Sequence, residues 1–89
     1  MTRIGIQTTE SIMFTLDVEY TDTFGGEANY CWVDRKHLEL PDGLSDIAIM
    51  RRAKASVGLS GVRGRSYNNG DMWEFRPYGS CTVMFATVR

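Results

Sequence analysis

Residues 13–20 of the chain, MFTLDVEY, alternate without a break. Phe14, Leu16, Val18 and Tyr20 fall on one side, and Thr15, Asp17 and Glu19 on the other. A period of two is the repeat of a pleated strand, and an apolar side opposed to a charged one describes a sheet with one face buried and one open. A helix would scatter the four apolar residues around its circumference. This pattern therefore commits the chain to an antiparallel sheet that needs something to cover one face.

The residues that follow extend the sheet. ANYCWVDR is rich in aromatic and β-branched residues and resumes an extended pattern, with Tyr30 and Trp32 on one face and Cys31 and Val33 on the other. TDTFGGE, between the two runs, reads as a hairpin connection somewhat longer than the tightest type. Gly25 and Gly26 supply its backbone freedom, Phe24 is expected to plug the core, and the acids face outward. Trp32 is expected in the core.

A single helix is expected to cover the sheet. PDGLSD has turn chemistry, Ser45 is an N-cap residue, and Asp46 puts a negative charge in the first turn. Leu44 and Ile49 stand at the positions of a hydrophobic staple. Ile49, Ala53 and Val57 form an i, i+4, i+8 line with Ile47 and Met50 beside it, while Arg51 and Arg52 fall opposite. Gly58 marks the helix end.

The last third reads as three strands. Asn69 and Gly70 form the strongest short hairpin signal in the chain. With those two residues as the loop, Arg65 opposes Glu74 as an ion pair, and Trp73 and Phe75 lie over Val62, Gly64 and Ser66. RPYG places Pro77 and Gly79 at turn positions, and CTVMFATV completes the sheet. The expected fold is α+β, in the order ββ-α-βββ: an antiparallel sheet of about five strands with one amphipathic helix on one face, in a single domain spanning residues 1–89. The other face is expected to be open and to carry Asp17, Glu19, Arg65 and Glu74.

Composition narrows the function. With 89 residues the chain supports one modest core. It has no apolar run long enough to cross a bilayer. The opening MTRIGIQTTESIMF does not read as a secretory signal, so a cytoplasmic setting is expected. Cys31 and Cys81 have no metal-ligand spacing, and in a reducing compartment they are expected as free, packed thiols. Neither a cofactor nor a metal is expected. FGGEANY has neither phosphate-loop spacing. The only histidine, His37, lies in the charged run DRKH and is expected on the surface, so an enzyme is not expected.

Charge is distributed unevenly. Residues 8–46 carry nine acids against two bases, whereas residues 47–89 carry seven bases against two acids. Such a split points to a charged partner, unless the halves pair internally. On one reading the acidic hairpin binds a protein, with Asp17, Glu19, Asp22, Glu27 and Asp34 complementing a nucleic-acid-binding surface and Tyr30 anchoring the contact. On the other, Arg51, Arg52 and Lys54 of the helix join Arg63, Arg65 and Tyr67 of a strand to hold nucleic acid directly, despite a pI of about 5.7.

DTFGGEANYCWV and RPYGSCTVMF, separated by a helix ending AKASVGLSGVRGR, resemble a family of short proteins encoded by bacteriophages and other mobile elements. The resemblance runs from about Thr21 onward, and GGEANY is its most specific part. No catalytic motif comes with it. Small phage proteins of this kind include anti-CRISPR proteins, which bind bacterial immune complexes and block target recognition. The resemblance thus implies an inhibitor acting in the bacterial cytoplasm, with a Cas effector complex as the partner and the acidic surface as a DNA mimic.

Overall fold

The computed structural model describes residues 13–89. Most of the opening segment read for a signal, with Arg3 and Glu10, lies outside them. The described chain runs β1 (Met13–Phe24), β2 (Glu27–Pro41), α1 (Asp46–Ser56), β3 (Gly64–Asn69), β4 (Met72–Pro77) and β5 (Thr82–Val88). The strands form one antiparallel sheet in the order β2-β1-β5-β4-β3. This is the α+β arrangement expected from the sequence. No helix among the described residues is long and apolar enough to cross a membrane.

The alternation of β1 sets the two faces. Leu16 opposes Leu38 and Val88, and Val18 opposes Ala86, so these residues share one side. Leu16, Val18, Met84 and Ala86 are all essentially inaccessible to solvent. α1 lies over β1 and β5, with Ile49 and Ala53 buried against them. Small residues at Ala53 and Ala86 suit a close approach of helix to sheet.

Both ends of α1 follow their local chemistry. The Ser45 hydroxyl accepts from the Ala48 N–H at 3.2 Å, and Leu44 and Ile49 both join the core. At the other end Leu59 N–H donates to Lys54 C=O and Gly58 N–H to Ala55 C=O, the pairing of a Schellman motif. Gly58 takes φ +79° there, as the left-handed C′ residue requires.

Register corrects several expectations. Phe24 opposes Glu27, so Gly25 and Gly26 alone form the first turn, both at positive φ as a tight type I′ turn needs. The other residues read as a longer connection belong to the strands: residues 21–24 lie in β1 and Glu27 in β2. In the second hairpin Asn69 opposes Met72, so the loop is Gly70 and Asp71. Only the glycine has positive φ, which fits a type II′ turn. The pairing moves by two residues, so every side chain keeps its expected face. Glu74 now opposes Tyr67, and its ion-pair partner is Arg76 rather than Arg65. Pro77 ends β4 instead of opening the turn. Cys31 and Cys81 are free, as expected, but exposed rather than packed.

Gly64 marks where β3 and β4 approach most closely. A Cβ there would stand 2.3 Å from the Arg76 carbonyl oxygen and 2.7 Å from Pro77 Cα, both backbone atoms that cannot swing aside. Gly64→Ala is therefore expected to destabilise the domain by about 1–3 kcal/mol or more. That corresponds to a fall in Tm of roughly 4–8 °C for each kcal/mol. Leu16→Asp, which buries a carboxylate without a partner, should leave no cooperative thermal transition. A Gly64→Ala melt matching the parent would show that β3 does not pack as described.

Candidate functional site

The hairpin end of β1 and β2 carries an irregularity built from the opening half of the chain. Pairing jumps from Thr21–Val33 to Thr23–Ala28, so Asp22 alone stands against Asn29, Tyr30, Cys31 and Trp32. A bulge of this size is held by side chains. The fully buried Thr21 hydroxyl donates to the Trp32 carbonyl at 2.7 Å and accepts from the Tyr30 N–H at 3.1 Å. Asp22 accepts from the Cys31 N–H at 2.8 Å and from the Asn29 side-chain amide at 2.9 Å. Inside the bulge Tyr30 takes φ +57°, the only non-glycine among the described residues in the left-handed region.

Three aromatic side chains at this end of the hairpin stand in solvent. Phe24 is 80% exposed, Tyr30 47% and Trp32 45%, so neither Phe24 nor Trp32 fills the core as expected. Trp32 stays on the side of Tyr20 and Asp34, the face that α1 covers, but it is not among the residues packed against the helix and so remains half-exposed. Trp32 is nevertheless fixed, its ring meeting Tyr20 edge-on with centroids 5.2 Å apart. The Tyr20 hydroxyl in turn donates to Thr82. The Tyr30 hydroxyl donates to Glu19 at 3.0 Å, and desolvation together with that carboxylate pushes the phenol above its ordinary pKa.

Three of the five acids of the expected acidic surface are paired. On the open face Glu19 binds Arg35 at 2.8 Å, and Asp17 binds both His37 and Arg89. On the other face Asp34 pairs with Lys36. His37 and Arg89 hold the Asp17 carboxyl below the usual range, and hydrogen bonds led by Asn29 do the same for Asp22. Of the expected acids Asp22 and Glu27 make no ion pair among the described residues. Glu74 and Arg76 complete the open face, and Arg76 also donates to the Gly26 carbonyl, tying β4 to the hairpin tip at 2.7 Å.

The basic set is divided by the sheet. Arg65 and Tyr67 lie on the open face, where Tyr67 and Tyr78 raise the Arg65 guanidinium pKa further. Arg51, Arg52 and Lys54 stand on the helix, on the other side. The two groups do not form the single surface expected, because strand alternation turns Arg65 away from the covered face. Arg51, Arg52, Lys54, Arg63 and Arg65 make no ion pair among the described residues.

Neither a family model, nor a curated protein, nor a solved structure matches this chain. The functional reading therefore rests on geometry. Sequence inspection found Tyr30 but missed Thr21, whose role shows only once the bulge is known. A Thr-Asp pair facing a Gly-Gly-x-x-Asn run was the available signal, since short polar side chains satisfy irregular backbone.

Thr21→Val keeps the shape and removes the hydroxyl, leaving the Tyr30 N–H without its acceptor. The expected loss is about 1–3 kcal/mol. Thr21→Ser should retain most of it. Asp22 adds a pH dependence of known sign. Its folded pKa is depressed, so its contribution is complete above the unfolded value near 3.9 and is lost as pH falls through the folded value. Asp22→Asn should therefore flatten the acid side of the stability profile. An unchanged profile would mean that the carboxylate is not held by the bulge.

Proposed function

We propose that this chain is a non-enzymatic interaction protein of the small phage-encoded kind, and that it works by seating the aromatic end of the β1–β2 hairpin on a bacterial protein. The observation that carries this reading is the pinned bulge. A non-glycine residue in the left-handed region costs of order 1–3 kcal/mol, and such strain persists where surrounding structure enforces it, often at functional positions. Here a buried threonine and an ordered aspartate enforce it, and Tyr30 is held in solvent at the hairpin end where Phe24 and Trp32 are also exposed. Tyrosine and tryptophan are the residue types most enriched among interface hot spots. Holding them in place before binding reduces the ordering cost of the complex.

Charge has a supporting part. Asp17, Glu19 and Asp34 sit beside cations, so they do not form a bare carboxylate array of the kind a DNA mimic presents. Glu27 and the Glu19–Arg35 pair border the aromatic end, where charges steer encounter and select partners more than they add affinity. The partner that the phage resemblance implies is an immune effector complex. In that setting the hairpin blocks target recognition by covering a protein surface, and the acidic residues set orientation.

The test is affinity capture from nuclease-treated bacterial lysate, followed by titration of the recovered partner. Trp32→Ala is expected to weaken binding by about 2 kcal/mol or more. Tyr30→Asn, which tolerates the left-handed backbone, should do likewise while Tm stays within a few degrees. Neutralising Asp17 and Glu19 together should slow association and reduce its salt dependence with a smaller change in dissociation. Binding that survives loss of both aromatics but not of the acids would overturn this reading in favour of charge mimicry. Recovery of nucleic acid alone, lost on nuclease treatment, would overturn it altogether.

A further inference from the structure

α1 presents two stripes, and only one of them is consumed by the core. Ile49, Ala53 and Val57 face the sheet. Ile47, Met50, Arg51 and Lys54, at i, i+3, i+4 and i+7, line instead a groove of about 660 Å3 that Trp73 and Tyr67 also border. The groove exists because α1 lies over β1 and β5, leaving the β3–β4 side of the same face uncovered. Its size falls within the range of small-molecule sites.

Three features of the groove are unexplained by folding. Ile47 is 72% exposed, although the helix pattern placed it beside the core line. Arg51 and Lys54 make no ion pair among the described residues. The Trp73 indole N–H is the one buried side-chain polar atom among the described residues without a hydrogen-bond partner. Lys54 is fixed by donating to the Val62 carbonyl at 2.6 Å and by standing 4.2 Å from the Phe75 ring centroid. An ammonium has three donors, so this anchoring leaves others for a ligand.

An apolar peptide would cover Ile47 and Met50 but leave both cations unanswered. A bare anion would answer the cations and leave the apolar wall wet. We propose that this groove binds a nucleoside phosphate, either free or as a unit of single-stranded nucleic acid. The base lies against Ile47, Met50 and the edge of Trp73, and the phosphate lies between Arg51 and Lys54. Asn68, on the groove side of β3, offers a donor and an acceptor to the base edge. Asp46, two helical turns from Lys54, repels phosphate from the far end and gives the site a direction. This site is separate from the hairpin surface, which lies toward the other edge of the sheet.

The test uses the intact chain at low salt, with a short fluorescent oligodeoxyadenylate, with AMP, and with inorganic phosphate. Saturable binding of the oligonucleotide or AMP is expected, with inorganic phosphate competing far less well. Oligonucleotide binding without AMP binding identifies the strand as the source; comparable binding of both identifies the free nucleotide. Ile47→Asp and Arg51→Glu alter exposed side chains, so Tm should hold while affinity falls about tenfold or more. Arg51→Ala should also lower the salt slope by about 0.7 for a single strand. Arg52→Glu makes the same charge change outside the groove and should weaken binding much less. Equal losses for Arg51→Glu and Arg52→Glu would reduce the binding to diffuse surface charge and overturn the proposal. So would inorganic phosphate competing as well as AMP, or no saturable binding by either nucleotide probe.

Discussion

The ladder between β1 and β5 is the contact on which the rest of this molecule depends. Without it the chain is two separate antiparallel units, the β1–β2 hairpin and the β3–β4–β5 meander, neither with a covered face of its own. Leu16 opposite Val88 and Val18 opposite Ala86 join segments about seventy residues apart in sequence. α1 is laid over that seam, so the helix and the long-range pairing support each other. Closing so long a loop costs entropy before the buried contacts repay it, which makes the seam the slow and cooperative part of folding. Each fully buried aliphatic side chain there contributes about 1.5–3 kcal/mol.

How much of this was legible in the sequence depends on whether a feature is periodic or local. The strand face of Leu16 and Val18, the helix line of Ile49, Ala53 and Val57, and both helix caps follow from spacing and residue chemistry alone. The fold class follows from their order. Position within a turn is less determined: Asn69 and Gly70 invite one hairpin loop, while Gly70 and Asp71 form another that also satisfies the glycine. Both loops keep Trp73 and Phe75 facing inward, so the pattern cannot choose between them. The bulge was harder to read, because periodicity gives no sign of where pairing slips and its one signal is the short polar residues Thr21, Asp22 and Asn29. Its consequence was to separate two residues expected on one face, since the Tyr30 hydroxyl reaches Glu19 while Trp32 meets Tyr20.

The charge split of the sequence resolves into two different situations. Three acids of the first half are paired: Glu19 with Arg35, Asp34 with Lys36, and Asp17 with Arg89 and, through a hydrogen bond, with His37. These are exposed pairs of modest individual value, but they interrupt the single-signed field along β1 and β2. The bases of the helix and β3 region find no such partners among the described residues. Composition predicted an acidic working surface and a basic one; geometry pairs Asp17, Glu19 and Asp34 on β1 and β2 and leaves the bases that line the groove unpaired among the described residues. That is why the hairpin is read through its aromatic side chains, whereas the groove is read through its cations.

Both candidate surfaces lie away from the seam, and there is a physical reason for this. The central strands and one stripe of α1 are committed to the core, so apolar side chains left over can only stand toward the two edges. An exposed edge strand also invites unwanted pairing, and β2 carries Arg35, Lys36, His37, Pro41 and a pronounced bulge, all devices that discourage it. The same bulge that spoils β2 as a template for another strand is what holds Tyr30 in solvent. At the other edge β3 is short, six residues against fifteen in β2, and α1 stops short of covering it. A longer β3 or a helix centred on the sheet would close the groove over Trp73. Edge protection and ligand access are thus met by the same two irregularities, one a slip in pairing and the other an off-centre helix.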